Sequence, residues 1–204
     1  MSWDVSNIQR VIGIVGQKAA GKGAASARLA EKHGFTVLTF STPIREVATK
    51  ELGTDVYGKS VYTVADLVRI ADRERKANGP GYWATQLIRI AVERQAATIC
   101  VDGIRNEGEI EALRAIIGPA RLELWGITGR LTVRYQRAGL RNQQGDPVGL
   151  EGFIDMDDVD RGIGQPSHGQ QVDRCLARVP YENLFDNSGE LEGLIAWVDK
   201  KVAM

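Results

Sequence analysis

The chain has 204 residues, 43% of them apolar, and its 26 basic and 26 acidic side chains cancel to a formal charge of zero. That size and apolar content suit one compact domain with a full-sized core and argue against disorder. The charge balance removes any bulk-electrostatic case for nucleic acid or an anionic membrane surface, leaving only local basic patches. No apolar run approaches the roughly 18–20 residues needed to span a bilayer, and the N-terminus shows no basic-then-apolar leader pattern. Two cysteines, Cys100 and Cys175, fit a reduced cytoplasmic protein.

Short apolar runs alternate with longer helical patterns, the signature of a mainly parallel sheet covered by helices. Residues 11–15 read as a first strand that runs into a glycine-rich turn at Gly16. A helix follows over 21–32 and stops near Gly34. Residues 35–40 read as a second strand; Pro43 marks a helix start, and the pattern reaches Leu52 before Gly53. Helices over 64–76 and 82–94 are separated by Asn78-Gly79-Pro80-Gly81. A buried third strand over 97–101 ends on Asp102, followed by a helix over 107–117 and a fourth strand over 122–128. A short strand over 183–186 and a helix over 190–202 close the chain. Between 139 and 171 glycine, amides and acids dominate, as in Arg141-Asn142-Gln143-Gln144-Gly145-Asp146-Pro147. This stretch reads as a mobile flap flanked by helices, since long loops in compact domains are usually functional or disordered.

Gly16-Gln17-Lys18-Ala19-Ala20-Gly21-Lys22-Gly23 fits the pattern G-x-x-x-x-G-K, with Gly23 where serine or threonine commonly follows. The spacing has a chemical reason. Successive backbone N–H groups must curl around a polyphosphate without a Cβ in the way, and the helix N-terminus adds a favourable field. Lys22 then reaches the outer phosphates as a point charge. The candidate ATP-binding positions are therefore Gly16, Ala19, Ala20, Gly21, Lys22, Gly23 and Ala24. Gly23 removes the hydroxyl that ordinarily touches Mg²⁺, which fits kinases that hold the ion largely through water. Gly-Lys-Gly in this place resembles adenylate kinases. Asp102 ends an apolar run at the carboxyl edge of a strand, where ligands bind in open α/β sheets and where an acid can hold a Mg²⁺-bound water. Arg105 follows three residues on, with a fork suited to a bidentate phosphate contact. Glu107 reads as a first-turn helix residue.

The phosphate loop, Phe40-Ser41-Thr42-Pro43-Ile44-Arg45 and Val101-Asp102-Gly103-Ile104-Arg105-Asn106-Glu107 together resemble the deoxynucleoside monophosphate kinase and dephospho-CoA kinase-like group of P-loop kinases, which has archaeal, bacterial and phage members. The resemblance continues through Arg73-Glu74-Arg75, Gly79-Pro80-Gly81-Tyr82-Trp83, Gly164-Gln165-Pro166, Gly169-Gln170-Gln171 and Asp186-Asn187-Ser188-Gly189-Glu190-Leu191, so it covers nearly the whole chain. It implies an α/β P-loop NTPase three-layer sandwich with a five-stranded parallel sheet, in a single kinase domain over 1–204. Within that domain it implies a helical acceptor-binding region over about 41–95 and a lid over about 130–171. ATP and Mg²⁺ are the implied cofactors. The implied acceptor is nucleotide-like, most nearly a (deoxy)nucleoside monophosphate. The alternatives are a hydroxymethylated base (5-hydroxymethyluracil) in phage DNA and a dephospho-CoA-like substrate. Nucleic acid is a partner only under the first of these alternatives. No membrane partner is implied, and the chain is expected as a monomer or homodimer.

Carried onto this chain, the resemblance assigns Ser41, Arg45, Arg73, Arg75 and Arg105 to the acceptor, with Tyr82 and Trp83 near a base. Arg130, Arg134, Arg137 and Arg141 recur at three- and four-residue spacing on one side of a helix. The group uses arginines there to clamp ATP phosphates and the transferred group. Lys22, Asp102, Arg105, Arg134 and Arg137 are thus the expected catalytic residues, with Asp102 meeting the metal through water. Asn187 and Gly189 match the loop that lies against the adenine, and His168 lies in a loop that could meet substrate. Members of the group often carry an acid soon after the second strand, where this chain has Ser41-Thr42. No general base is assigned, and a phosphate acceptor is already an anion at neutral pH.

Overall fold

The computed structural model describes residues 4–141 and 149–203. Its sheet has five parallel strands in the order β2-β3-β1-β4-β5, formed by Arg10–Gly16 (β1), Thr36–Thr39 (β2), Thr98–Ile104 (β3), Leu122–Thr128 (β4) and Leu184–Asp186 (β5). β1 is central, and every residue from Val11 to Gly16 is buried, as a strand covered on both faces requires. Along it the side chains alternate between two apolar layers. Val11 and Val15 join one cluster with Trp83, Leu87 and Ile110, while Ile12 and Ile14 join another with Leu29, Trp125 and Leu194.

Lys22–His33 (α1) and Leu191–Val202 (α9) cover the second face. Ser41–Leu52 (α2), Val64–Asn78 (α3), Tyr82–Glu93 (α4), Glu107–Ile117 (α5) and Val172–Leu176 (α8) pack on the first. Two helix starts are closed by reciprocal caps. Thr63 and Asp66 bond each other's backbone N–H at α3, and Asn106 and Glu109 do the same at α5, satisfying donors that have no intrahelical partner. Among the described residues no helix is long and apolar enough to cross a membrane.

Three local expectations change. The third strand does not stop at Asp102 but runs on to Ile104, with a register shift opposite Ile14 and Val15. Gly103 makes this bulge at φ 89°, a value open to glycine. α2 starts at Ser41, two residues ahead of Pro43. The stretch expected as a flap is largely helical where it is described: Leu131–Arg141 (α6) enters it and Gly149–Arg161 (α7) fills its middle, while the part of the expected flap at 142–148 lies outside the described residues. α7 forms because Phe153, Asp157 and Asp160, at i, i+4 and i+7, share a buried face. The acids on that face meet arginines from elsewhere in the fold, so a polar composition conceals an inward-facing helix.

Candidate functional site

β1 delivers Gly16 into the phosphate loop, where Ala19 at φ 58° and Gly21 at φ 110° take left-handed backbone. This alternation is the conformation in which successive N–H groups converge on an anion. Gly21 is tightly held: a Cβ there would collide with Asn187 Nδ2 and lie 3.1 Å from Leu194 Cδ2. Asn187 is 2% exposed, and its Nδ2 donates to the Ala20 carbonyl at 2.8 Å. It braces the loop through this bond, and its Oδ1 is buried with no hydrogen-bond partner among the described residues. Lys22 Nζ donates to the Gly16 and Gln17 carbonyls at 2.7 and 2.9 Å. Burial pushes the ammonium below the ordinary lysine range, while Asp160 and Asp102 pull it back.

Asp102 sits opposite Ile14 in the β1–β3 pairing. Ser26 Oγ, one turn into α1, lies 3.1 Å from the Gly23 carbonyl and 3.2 Å from Asp102 Oδ2. The hydroxyl absent at Gly23 thus has a counterpart three residues on, set against the acid. Asp102 Oδ1 is buried without a hydrogen-bond partner among the described residues. An acceptor oxygen left open beside a phosphate loop fits a hydrated cation. Among the described residues no three His, Cys, Asp or Glu side chains are grouped to hold a metal by themselves, as suits Mg²⁺, which keeps waters and binds phosphate oxygens.

A cavity of about 610 Å³ opens from this loop toward α2 and α3. The phosphate loop from Lys18 to Ala24, with Asp102, forms one end; Ser41, Ile44 and Arg45 of α2 and Val64, Leu67, Val68 and Ala71 of α3 form the other. Arg75, Arg105, Arg137 and Arg141 also border it. Arg105 is held by Gln170 Oε1 at 3.3 Å and stands 3.5 Å from Asp160 Oδ1. Its backbone is clamped on both sides: its N–H donates to Glu109 Oε2 at 2.9 Å and its carbonyl accepts from Gln171 N–H at 2.6 Å. Asn106 Nδ2 adds bonds to the Ser167 and Gly169 carbonyls, so residues 167–171 are laced onto the β3 edge.

The other expected residues separate into distinct roles. Arg134, expected at the transferred phosphate, is 3% exposed and forks onto Asp157, with further bonds to the Gly129 and Lys18 carbonyls. It does not border the cavity, and it acts as a brace between α6, α7 and the phosphate loop. Arg137 borders the cavity and donates to the Asn187 and Gly189 carbonyls at 2.6 and 2.7 Å. Arg130 is exposed and holds Ser188. Arg73, expected at the acceptor, is outside the cavity wall, paired with Glu51 and Glu74. Trp83, expected near a base, is fully buried in the core, with Nε1 donating to the Ala71 carbonyl at 3.1 Å. Tyr82 packs edge-on against it and is also away from the cavity. Sequence reasoning missed Ser26, Glu109, Asp157, Asp160 and Gln170. The spacing Asn106-x-x-Glu109 was a legible capping signal, whereas each of the other four meets a side chain from a distant segment, Asp102 in the case of Ser26.

No protein-family model matches the chain. A shikimate kinase from Bacteroides thetaiotaomicron superposes at TM-score 0.59, covering 96% of this chain and 99% of that one at 14% identity. A gluconokinase from Sinorhizobium meliloti gives 0.51, covering 96% and 93% at 14% identity. At such identity the likeness speaks to the fold, an α/β fold with an all-parallel five-stranded sheet that this chain shares with kinases. In sequence the chain is 31% identical over 191 residues to a UPF0200 protein of Methanoculleus marisnigri, spanning 91% of this chain and 95% of that one. With similarity running through almost the full length of both, the chain belongs to the UPF0200 family.

Proposed function

We propose that this protein is an ATP- and Mg²⁺-dependent phosphotransferase of the deoxynucleoside monophosphate kinase and dephospho-CoA kinase-like group. Its acceptor is nucleotide-like, most nearly a (deoxy)nucleoside monophosphate. One observation carries the reading: a single cavity joins the phosphate loop, Lys22 and Asp102 to a wall that is apolar along α3 and cationic at Arg45 and Arg105. A flat apolar body with an anionic group fits such a wall. Along α3 itself, Val64, Leu67, Val68 and Ala71 offer a polyol no side-chain hydrogen-bonding partner, so its hydroxyls would depend on Arg75 and the polar residues of the other walls.

In the reaction an acceptor phosphate oxygen bonds to the terminal phosphorus of ATP, the bond to the bridging oxygen breaks, and ADP leaves with that electron pair. The loop N–H groups and Lys22 hold the donor phosphates, and Arg105 faces the charge that spreads over the equatorial oxygens. Asp102 would hold Mg²⁺ through water, and the ion supplies charge neutralisation at the phosphate oxygens. The reading carries with it a cytoplasmic setting, in keeping with two free, buried thiols, and small-molecule partners. ADP release should be measured with ATP, Mg²⁺ and a panel of deoxynucleoside monophosphates, dephospho-CoA, hydroxymethyluracil DNA, shikimate and gluconate. Stimulation by a nucleoside monophosphate is expected. Turnover with a polyol alone, or with no nucleotide-like acceptor, overturns the proposal.

A further inference from the structure

Arg75 differs from Arg45 and Arg105 in how its charge is used. It is 3% exposed, and its Nε and Nη2 donate to Glu109 Oε1 at 3.1 and 2.8 Å while Nη1 donates to Asp72 Oδ1 at 3.1 Å. Glu109 alone neutralises the guanidinium, and Asp72 takes the local balance negative. Arg45 borders the same cavity with a neutral partner, the Tyr62 hydroxyl. Arg105 is bonded to the neutral Gln170 side chain and faces one carboxylate, Asp160, whose Oδ1 stands 3.5 Å from its Nε. A phosphate at Arg75 would lie beside two carboxylates; at Arg45 no ion pair is formed among the described residues.

A guanidinium has five N–H donors. Three at Arg75 are engaged with the described residues, which leaves one on each terminal nitrogen of a side chain that borders the cavity together with Leu67, Val68 and Ala71. Buried donors of this kind favour neutral acceptor atoms and disfavour partners that leave them unpaired. We infer that Arg75 reads the body of the acceptor, donating to two neutral oxygen or nitrogen atoms on one edge of a heterocycle, and that the acceptor's phosphate is held by Arg45 and Arg105. The inference rests on the nucleotide reading above and sharpens it. Guanine offers such an edge in O6 and N7, and cytosine in O2 and N3, whereas adenine and thymine alternate donor with acceptor along theirs.

Calorimetric titration of the whole chain with the four deoxynucleoside monophosphates and the four nucleosides separates two quantities. One is discrimination between bases; the other is the gain in affinity from the phosphate. The wild type should favour guanine- or cytosine-bearing ligands by about tenfold or more. In Arg75→Lys that preference should fall to about twofold with the phosphate gain retained; in Arg45→Met the phosphate gain should collapse with the preference retained. Loss of the phosphate gain in Arg75→Lys, with base preference intact, overturns the inference. So does a wild type that binds monophosphates without base preference, which leaves the nucleotide reading standing. A wild type that binds no monophosphate overturns that reading and this inference together. If Arg75→Lys does not melt cooperatively, Asp72→Asn decides the matter. A several-fold rise in the phosphate gain would mark Arg75 as a phosphate ligand, and an unchanged gain supports the inference.

Discussion

Arg134→Ala should unfold this protein more than it disables a phosphate clamp. Both Arg134 and Asp157 are 3% exposed, and the fork between them is bidentate. Arg134 also satisfies the carbonyls of Gly129 at 2.9 Å and Lys18 at 3.1 Å and lies 5.9 Å over the Phe153 ring. Truncation leaves the Asp157 carboxylate in a dry site without a counter-ion, a loss of about 3–5 kcal/mol. For a chain of this length each kcal/mol moves the melting temperature by about 2–4 °C, so the midpoint should fall by about 6–20 °C. The double variant Arg134→Met/Asp157→Leu removes both charges while keeping volume and should recover part of that loss, because the neutral pair has no desolvation penalty to offset, although the Gly129 and Lys18 carbonyls still lose the Arg134 donors. Thermal melts of the wild type, Arg134→Met, Asp157→Leu and the double variant measure the coupling. A melting temperature for Arg134→Ala within about 2 °C of wild type, or a double variant no better than the worse single one, would refute the buried-pair reasoning. Arg134 would then return to consideration as a ligand contact.

Three further outcomes are expected. Lys22→Ala should lower ADP release by about 10²–10³-fold with a melting temperature close to wild type, since it removes no core volume; near-normal turnover would sink the phosphate-loop assignment. Gly23→Ser should reduce the Mg²⁺ concentration for half-maximal turnover several-fold, toward the tenfold changes seen when metal surroundings are altered. A Cβ at Gly23 meets nothing within 4 Å, so the new hydroxyl enters open space, and an unchanged Mg²⁺ requirement would place the ion elsewhere. Bonds from Arg28, Lys32 and His33 hold the Asp199 carboxyl well below its ordinary value of 3.8. A depressed folded pKa contributes stability above pH 3.8 that is lost as pH falls below it. Asp199→Asn should therefore flatten the fall of melting temperature below about pH 4, and parallel curves for variant and wild type would count against the α1–α9 ion cluster.

The fold was legible because its signals are local. Apolar runs of strand length separated by helical patterns announce a parallel sheet, and G-x-x-x-x-G-K between strand and helix is complete within eight residues. The α5 start was also readable, since a capping box spans four. The extent of α7 was not: its buried face carries two aspartates, and only their arginine partners make it an inward face. Trp83 shows the same limit from the other side, because a tryptophan beside a glycine-rich turn looks identical in sequence whether it meets a ligand or the core.

Arginine was the residue type that sequence could place but not interpret. Arg134 and Arg137 stand one turn apart on α6, yet one is sealed against Asp157, 23 residues on, and the other borders the cavity. Arg73 and Arg75 are two residues apart, yet one pairs at the surface with Glu51 and Glu74 and the other is buried on Glu109, 34 residues away. A guanidinium's role follows from how many of its five donors and how much of its charge neighbours already use. Spacing along the chain fixes which side of a helix it occupies, and only the tertiary contacts decide what waits there.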